Sequence, residues 1–428
     1  MINKKLTILH INKFHYFRGG AETVYFNTAR ILESHGHRSV FFSMHHTQNI
    51  PCETGNYFIP HVELDEINRN CSSMHQLKIA GRIFYSFKAK KLLSQLLDAY
   101  PVDIAHLHNI YHQISPSILH VLKKRKIPIV MTLHDYKMVC ATYNLYTHGK
   151  PCDDCSGRKY FMAIKNRCVK NSFSKSLVST LEMYLHHRVL DIYRHVDIFI
   201  SPSRFLKNKL LEMGFKKEIF YLPNYIDREK LRTFDGDAGK EKVKSENSIV
   251  YFGRLSREKG LMTLFEAIKL LRSQGEDKIK VKIIGDGPLR NSLELMTKSE
   301  GLQNIHFLGY KMRDELKDEI IRSLFVILPS GCYENNPMSV LESFALGKPV
   351  IASRIGGIPE IVRNDVTGET FEPGDAKDLC AKIEYLLRRP DKIVEMGKNA
   401  RIFVEQELNE KQYYERLLGV YHRVLSHK

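Results

Sequence analysis

Ser248-Ile-Val-Tyr-Phe-Gly-Arg254-Leu-Ser-Arg-Glu-Lys259-Gly260 joins an apolar run to a polar turn, which opens into a helical pattern through Leu264, Ile268 and Leu271. A short apolar run bounded by turn residues and followed by apolar positions three to four apart is the pattern of a buried strand feeding a helix. Strands that alternate with helices build a parallel, doubly wound sheet, and such sheets bind ligands outside the carboxyl ends of their strands. Arg254 and Lys259 stand at such an end. A guanidinium that forks onto phosphate oxygens and an ammonium acting as a point charge together suit a diphosphate, with no divalent metal required.

Further along, Cys332-Tyr-Glu-Asn-Asn-Pro-Met-Ser-Val-Leu-Glu342 announces a short helix. Asn336 fits its N-cap, Pro337 its first position and Gly347 its C-terminal stop. The start of such a helix directs unpaired N–H groups and a partial positive charge at whatever lies before Pro337, which favours a phosphate. Glu342 is expected one to two turns inside, about 9 Å along the axis from the start, a distance suited to ribose hydroxyls. Glu334, just before the helix, is placed to reach a second polyol.

The strand-helix alternation extends in both directions. Leu6–Ile11, the Gly19-Gly20 turn, a helix from about Ala21 to Ser34, the stop at Gly36 and Ser39–Phe42 form an opening βαβ unit. Ile104–His108, Ile127–Leu133 and Val196–Ser201 are further strands; Ile249–Phe252, Val281–Ile284, Ile305–Phe307, Phe325–Leu328 and Val350–Ala352 repeat the scheme. A chain of 428 residues suits two domains, each large enough to be stable without disulfides. The expected division is 1–224, a linker over 225–247, a second domain over 248–408 and an amphipathic helix over 409–428.

Charge divides unequally between the halves: residues 1–230 hold 33 Lys and Arg against 18 Asp and Glu, while 231–428 hold 32 against 30. A basic half beside a neutral one points the first domain toward something anionic, a membrane surface or a nucleic acid. Gln76–Tyr100 mixes Ile79, Ile83, Phe84, Phe87, Leu92, Leu93, Leu96 and Leu97 with Lys78, Arg82, Lys88, Lys90 and Lys91. Such a stretch is either a basic amphipathic helix for an anionic bilayer or a domain helix with a solvated basic face. Lys123-Lys-Arg-Lys126 joins the same patch if the two surfaces coincide. The N-terminal apolar run is too short for a signal peptide, and no run approaches the ~20 residues of a membrane span. The expected location is the cytoplasm, with peripheral contact on the inner membrane face.

Gly-Arg-Leu-x4-Lys-Gly from Gly253, Gly285-Asp-Gly-Pro288, the Glu334/Glu342 pair and Gly347-Lys-Pro-Val-Ile-Ala-Ser353 resemble, in order, the C-terminal domain of glycosyltransferase family 4, the retaining GT-B enzymes. Gly19-Gly20-Ala-Glu22, Leu133-His134-Asp135 and Pro223-Asn224-Tyr-Ile-Asp227 are similar to its N-terminal and linker motifs. The resemblance implies two doubly wound Rossmann-like α/β domains facing a central cleft, with the last helix returning to the first domain. It implies that Gly19 and Gly20 cover the donor diphosphate, that Gly285 and Tyr310 line the base and ribose pocket, and that Asn336, Pro337, Met338 and Ser339 belong to the donor site. His134, otherwise an ordinary residue at a strand end, becomes the cleft histidine that contacts the transferred sugar. Arg254, Lys259, Glu334 and His134 are then the catalytic set.

Two departures bear on the donor sugar: Asn335-Asn336-Pro337 replaces the family's Gly-Phe-Gly, and Asn224-Tyr-Ile-Asp227 its Asn-Gly-Val-Asp. The resemblance thus implies transfer from a UDP- or GDP-linked sugar to a glycan or lipid-linked acceptor, with no catalytic cofactor, in cell-surface polysaccharide synthesis. A GT-B epimerase or hydrolase is the alternative among enzymes. An RNA-binding protein is the alternative outside them, and it leaves the Arg254–Lys259 and Glu334–Glu342 sets unexplained.

Four of the eight cysteines, Cys140, Cys152, Cys155 and Cys168, fall in one insertion spanning 140–168. Cys152-Asp-Asp-Cys155 has the loop spacing of a metal knuckle, so a structural Zn²⁺ site is expected, with reduced thiols or disulfides as the alternatives.

Overall fold

The computed structural model describes residues 4–61, 81–227, 246–276 and 278–426. Most of the expected linker (228–245) and the first residues of the expected basic helix (76–80) lie outside the described residues.

Two six-stranded parallel sheets form the frame. The first contains β1 (Thr7–Ile11), β2 (Arg38–Phe42), β3 (Ile104–Leu107), β4 (Ile129–Thr132), β5 (Ile198–Ser201) and β6 (Ile219–Tyr221), in the order β2-β1-β3-β4-β5-β6. The second contains β7 (Ser248–Phe252), β8 (Lys280–Ile284), β9 (Ile305–Gly309), β10 (Phe325–Leu328), β11 (Val350–Ser353) and β12 (Gly368–Phe371), in the order β9-β8-β7-β10-β11-β12. In each sheet the order reverses beside the first strand, which leaves a crevice at the carboxyl ends. All residues of β3, β4, β5, β7, β10 and β11 are buried, as parallel strands covered on both faces must be.

The helices that position the site are α1 (Gly20–Ser34), α2 (Phe87–Ala99), α3 (Ile118–Lys124), α4 (Phe173–Tyr184), α5 (Arg204–Glu212), α6 (Leu261–Ser273), α7 (Arg290–Ser299), α8 (Arg313–Arg322), α9 (Met338–Ala345), α10 (Ala376–Leu387), α11 (Pro390–Glu407) and α12 (Glu410–Ser426). Helix α12 buries Tyr413, Leu417, Val420, Tyr421 and Val424, a stripe of helical spacing, against Ile8, Ile104, Val130 and Ile198 of the first sheet. Each such aliphatic side chain contributes roughly 1.5–3 kcal/mol on burial. Hydrogen bonds between Tyr413 and Thr28 and between Tyr421 and His106 fix its rotation.

Strands β6 and β12 are absent from the sequence expectation. Strand β6, Ile219-Phe220-Tyr221, is apolar but only three residues long and at a sheet edge, while β12 opens on Gly368 and carries Glu369, so it presents no apolar run. Over its described part, Gln76–Tyr100 holds a domain helix with a solvated basic face. Helix α2 starts at the Ser86 cap and turns Ala89, Leu93, Leu96 and Leu97 into the first domain's core, leaving Lys88 and Lys91 in solvent. Phe87, the first residue of the helix, stays 76% exposed beside Lys88. The Lys123–Lys126 run does adjoin it, because Arg125 donates to Ser94 and Asp98 of α2.

Candidate active site

The facing carboxyl ends of the two sheets enclose a cleft of about 2500 Å³. Every second-domain residue of the expected set lines it: Arg254, Lys259, Gly285, Tyr310, Glu334, Asn336, Pro337, Met338, Ser339 and Glu342. So do Gly19, Gly20 and His134 of the first domain.

Arg254 follows β7 and is exposed, and its guanidinium has no hydrogen-bond or ion-pair partner among the described residues. The loop that carries it is braced by Gly285, whose φ of 134° and lack of a Cβ let the two backbones touch; an added Cβ would stand 1.9 Å from the Gly253 oxygen. Leu255 N–H also donates to the Asp286 carbonyl at 2.9 Å.

Helix α9 begins one residue later than expected. Pro337, with φ −66° and ψ 120°, is the N-cap, and its carbonyl accepts from Val340 and Leu341. Asn336 does not cap the helix: its carbonyl accepts from Asn224 of the first domain at 3.1 Å. The proline ring sets this extended start, and no side chain caps it. The N–H groups of Met338 and Ser339 therefore have no acceptor within the helix. Gly347, with φ 63°, closes the other end, and Lys348 N–H reaches back to Ser343. Glu342 lies half-buried on the cleft side of α9.

Lys259 and Glu334, read separately from sequence as a phosphate cation and a sugar ligand, are joined in the fold. Lys259 Nζ lies 2.5 Å from Glu334 Oε1, and Ser330 Oγ donates to the same oxygen at 2.6 Å. Burial alone would raise the Glu334 carboxyl; the Lys259 charge and these bonds outweigh it and hold the group below its ordinary value. Burial likewise opposes the Lys259 charge, and Glu334 more than restores it. Both bonds fall on Oε1, which leaves Oε2 as the oxygen without a partner among the described residues. The loop bearing Glu334 rests on Gly357, whose N–H donates to the Glu334 carbonyl at 2.7 Å. A Cβ on Gly357 would stand 1.9 Å from the Asn335 oxygen. Neither Ser330 nor Gly357 was singled out by sequence, although Gly356-Gly357 after a strand was a signal available to find the brace.

The first domain supplies the opposite wall. A Cβ on Gly20, the first residue of α1, would stand 3.4 Å from Met338 Cγ, so the paired glycines approach the start of α9 across the cleft. Beneath them Glu22 is buried, its carboxyl raised by burial and partly offset by Lys13 and by the Asn12 amide. Asp135 is raised to about 6, chiefly by burial, against the Lys137 N–H and the Lys13 charge. His134 is lowered to about 3 by burial and by Lys13, so its ring is neutral at physiological pH. His134 Nε2 lies 2.8 Å from His108 Nδ1, and its carbonyl accepts from Asn335 of the second domain at 2.7 Å. A polar contact thus ties the histidine to the Glu334 loop.

The four cysteines of the expected Zn²⁺ site neighbour one another: burial, then Cys140, Cys168 and Cys152, raise the Cys155 thiol. Among the described residues, His10, His106 and His108 are the trio of possible ligands whose atoms lie within 4.8 Å of one another. No three of Cys140, Cys152, Cys155 and Cys168 do so. Cys140 and Cys155 pack into the first domain's core, and Cys140 Sγ lies 3.3 Å from Thr142 Oγ1. Within the histidine trio both nitrogens of His106 hydrogen-bond, to Tyr421 and Thr132, whereas both nitrogens of His10 and Nε2 of His108 are buried with no hydrogen-bond partner among the described residues.

Comparison with known proteins gives a consistent result. Residues 18–230 match the family model Glycosyltransferase Family 4, and residues 235–403 match Glycosyl transferases group 1. The chain is 28% identical over 240 residues to the amylovoran biosynthesis glycosyltransferase AmsK of Erwinia amylovora, covering 54% of this chain and 58% of that protein. The chain thus spans less than two thirds of that relative's length. It is 26% identical over 329 residues to an uncharacterized glycosyltransferase of Methanocaldococcus jannaschii, covering 77% and 78%. The solved structure of Anabaena HepE in complex with UDP and glucose shares the fold, with a TM-score of 0.66 at 17% identity over 98% of this chain and 100% of that one.

Proposed function

Because the chain belongs to the group 1 glycosyltransferases of family 4 and has the two facing domains of the GT-B fold, we propose that it moves a sugar from a nucleoside-diphosphate sugar to a hydroxyl of a glycan, with retention at the anomeric carbon. The observation that carries the proposal is the unpaired Arg254 guanidinium sharing the cleft with the free N–H groups of Met338 and Ser339. Negative charge grows on the diphosphate as the glycosidic bond breaks. Donors already fixed around that charge stabilise the transition state more than the ground state. Arg254 and the start of α9 take this role, and catalysis then needs no divalent ion. Glu342 orients the ribose; Glu334, locked by Lys259 and Ser330, offers Oε2 to a sugar hydroxyl. Neutral His134 contacts the transferred sugar rather than removing a proton. The acceptor hydroxyl attacks on the face the diphosphate leaves, and its proton passes to a departing phosphate oxygen.

HepE, solved with UDP and glucose, makes UDP-sugars the first donors to examine, and AmsK's role in amylovoran biosynthesis points to a cell-surface polysaccharide as the acceptor class. No helix among the described residues is long and apolar enough to cross a membrane. The basic face of α2 and the adjoining Lys123–Lys126 run favour electrostatic contact with an anionic membrane, where a lipid-linked acceptor is found. The test is product analysis after incubation with UDP- and GDP-sugars and a lipid-linked or free glycan. A new glycosidic bond with the donor's anomeric configuration is expected. Inverted product would remove the same-face mechanism, and turnover to free or epimerised sugar without acceptor would favour the hydrolase or epimerase reading.

A further inference from the structure

We infer that His108 is a positioning residue that fixes the tautomer of His134, so that the cleft histidine presents Nδ1–H as a hydrogen-bond donor. His106 and His108 lie two residues apart on β3 and the segment beyond it, on one face of the first sheet; His134 follows β4, the neighbouring strand. The rings of His108 and His134 are nearly parallel, with centroids 5.1 Å apart and planes inclined by 19°, and one proton links His108 Nδ1 to His134 Nε2. Burial keeps both rings neutral, so each carries a single N–H.

Two arrangements are open to such a pair. In one, His134 donates from Nε2, and the single proton of His108 must then sit on its own Nε2. That atom is fully buried and has no hydrogen-bond partner among the described residues. In the other, His108 donates from Nδ1, its Nε2 is a bare lone pair, and His134 carries its proton on Nδ1. A buried N–H without an acceptor is rarer and more costly than a buried acceptor without a donor. The second arrangement therefore prevails. Its consequence lies in the cleft, which His134 lines: the ring offers a donor to an oxygen of whatever ligand reaches it and has no free lone pair with which to accept a proton. His108 reaches no cleft surface and acts only through His134.

The inference rests on the proposed sugar contact for its effect on turnover but not for the tautomer itself. Long-range proton–nitrogen correlation spectra of ¹⁵N-histidine-labelled protein, with His134 assigned by comparison with His134→Asn, report which nitrogen is protonated. The wild type is expected to show Nδ1–H at His134. His108→Phe keeps an aromatic ring but removes the donor, and should shift His134 toward Nε2–H and lower kcat for donor turnover about tenfold or more with a smaller change in KM. His108→Asn, whose amide N–H falls near the position of Nδ1, should restore the Nδ1–H form and recover turnover relative to His108→Phe. An Nε2-protonated His134 in the wild type, or an unchanged tautomer in His108→Phe, overturns the inference. Should His108→Phe fail to fold, the wild-type and His108→Asn spectra decide alone. Absence of donor turnover in the wild type would count against the proposed function and leave the spectra to judge the tautomer.

Discussion

Arg254 and Lys259 carry the same charge on the same loop system, yet they enter the cleft in different states. Lys259 is neutralised by Glu334, whereas Arg254 has no counter-charge among the described residues and is the cation free to meet an incoming diphosphate. Replacing Arg254 with Ala should lower kcat/KM by about 10²-fold or more while leaving the melting temperature nearly unchanged, since the side chain is exposed. Near-normal transfer in a folded R254A protein would remove the residue from the mechanism. Glu334 has a different signature. Its folded-state value is depressed, so the stability it contributes is present above its unfolded value of about 4.3 and is lost as pH falls through the lowered folded value. E334Q should be less stable than wild type at pH 7, because Lys259 loses its partner, and should lose less stability between pH 5 and 3. Denaturant unfolding across that range checks the sign, and equal acid slopes in the two proteins would contradict it.

At the scale of elements, the site depends on how short segments are held. Helix α4 is pinned by Glu182, which is buried and lies 2.6 Å from the buried Lys137 Nζ, with His186 Nδ1 at 3.2 Å. Removing one member of a buried pair leaves the other charge uncompensated, so E182Q should cost about 3–5 kcal/mol in urea unfolding; a loss under 1 kcal/mol would show that the pair is dispensable. Helix α5 is capped from two directions: Ser203 accepts from Leu206 N–H, and Glu360 of the second domain accepts from the N–H groups of Arg204 and Phe205. The fully buried strands were legible because burial on both faces leaves an uninterrupted apolar run; β12, which opens on glycine and buries a glutamate, was not. Within the site, local motifs located the Arg254 loop and the short helix after Pro337. The Lys259–Glu334 and His108–His134 pairs join segments 75 and 26 residues apart, and no local period encodes such contacts. Asn336 misled for a related reason: it has a capping side chain, but the following proline moves the cap one residue on.

Across the whole molecule, the domains meet through polar contacts around the cleft, and α12 returns to cover the first sheet. Part of the excess positive charge of the first half sits on the exposed lysines of α2 and α3, while Ala89, Leu93, Leu96 and Leu97 of α2 are spent on the core. Binding to vesicles containing anionic lipid should be mainly electrostatic: steeply weakened by salt, and reduced when Lys88, Lys91, Lys123 and Lys124 are changed to Glu, each contributing about 1 kcal/mol. Equal binding to neutral and anionic vesicles would exclude this surface. Whether the cleft holds a nucleoside diphosphate on Arg254 and the start of α9 without a metal ion is decided by calorimetric titration of UDP, GDP, ADP and TDP in excess EDTA. One-site binding of at least one of them by the wild type is expected, weakened tenfold or more in R254A. No binding by any of the four, binding only after Mg²⁺ or Mn²⁺ is added, or equal affinity in R254A would contradict it.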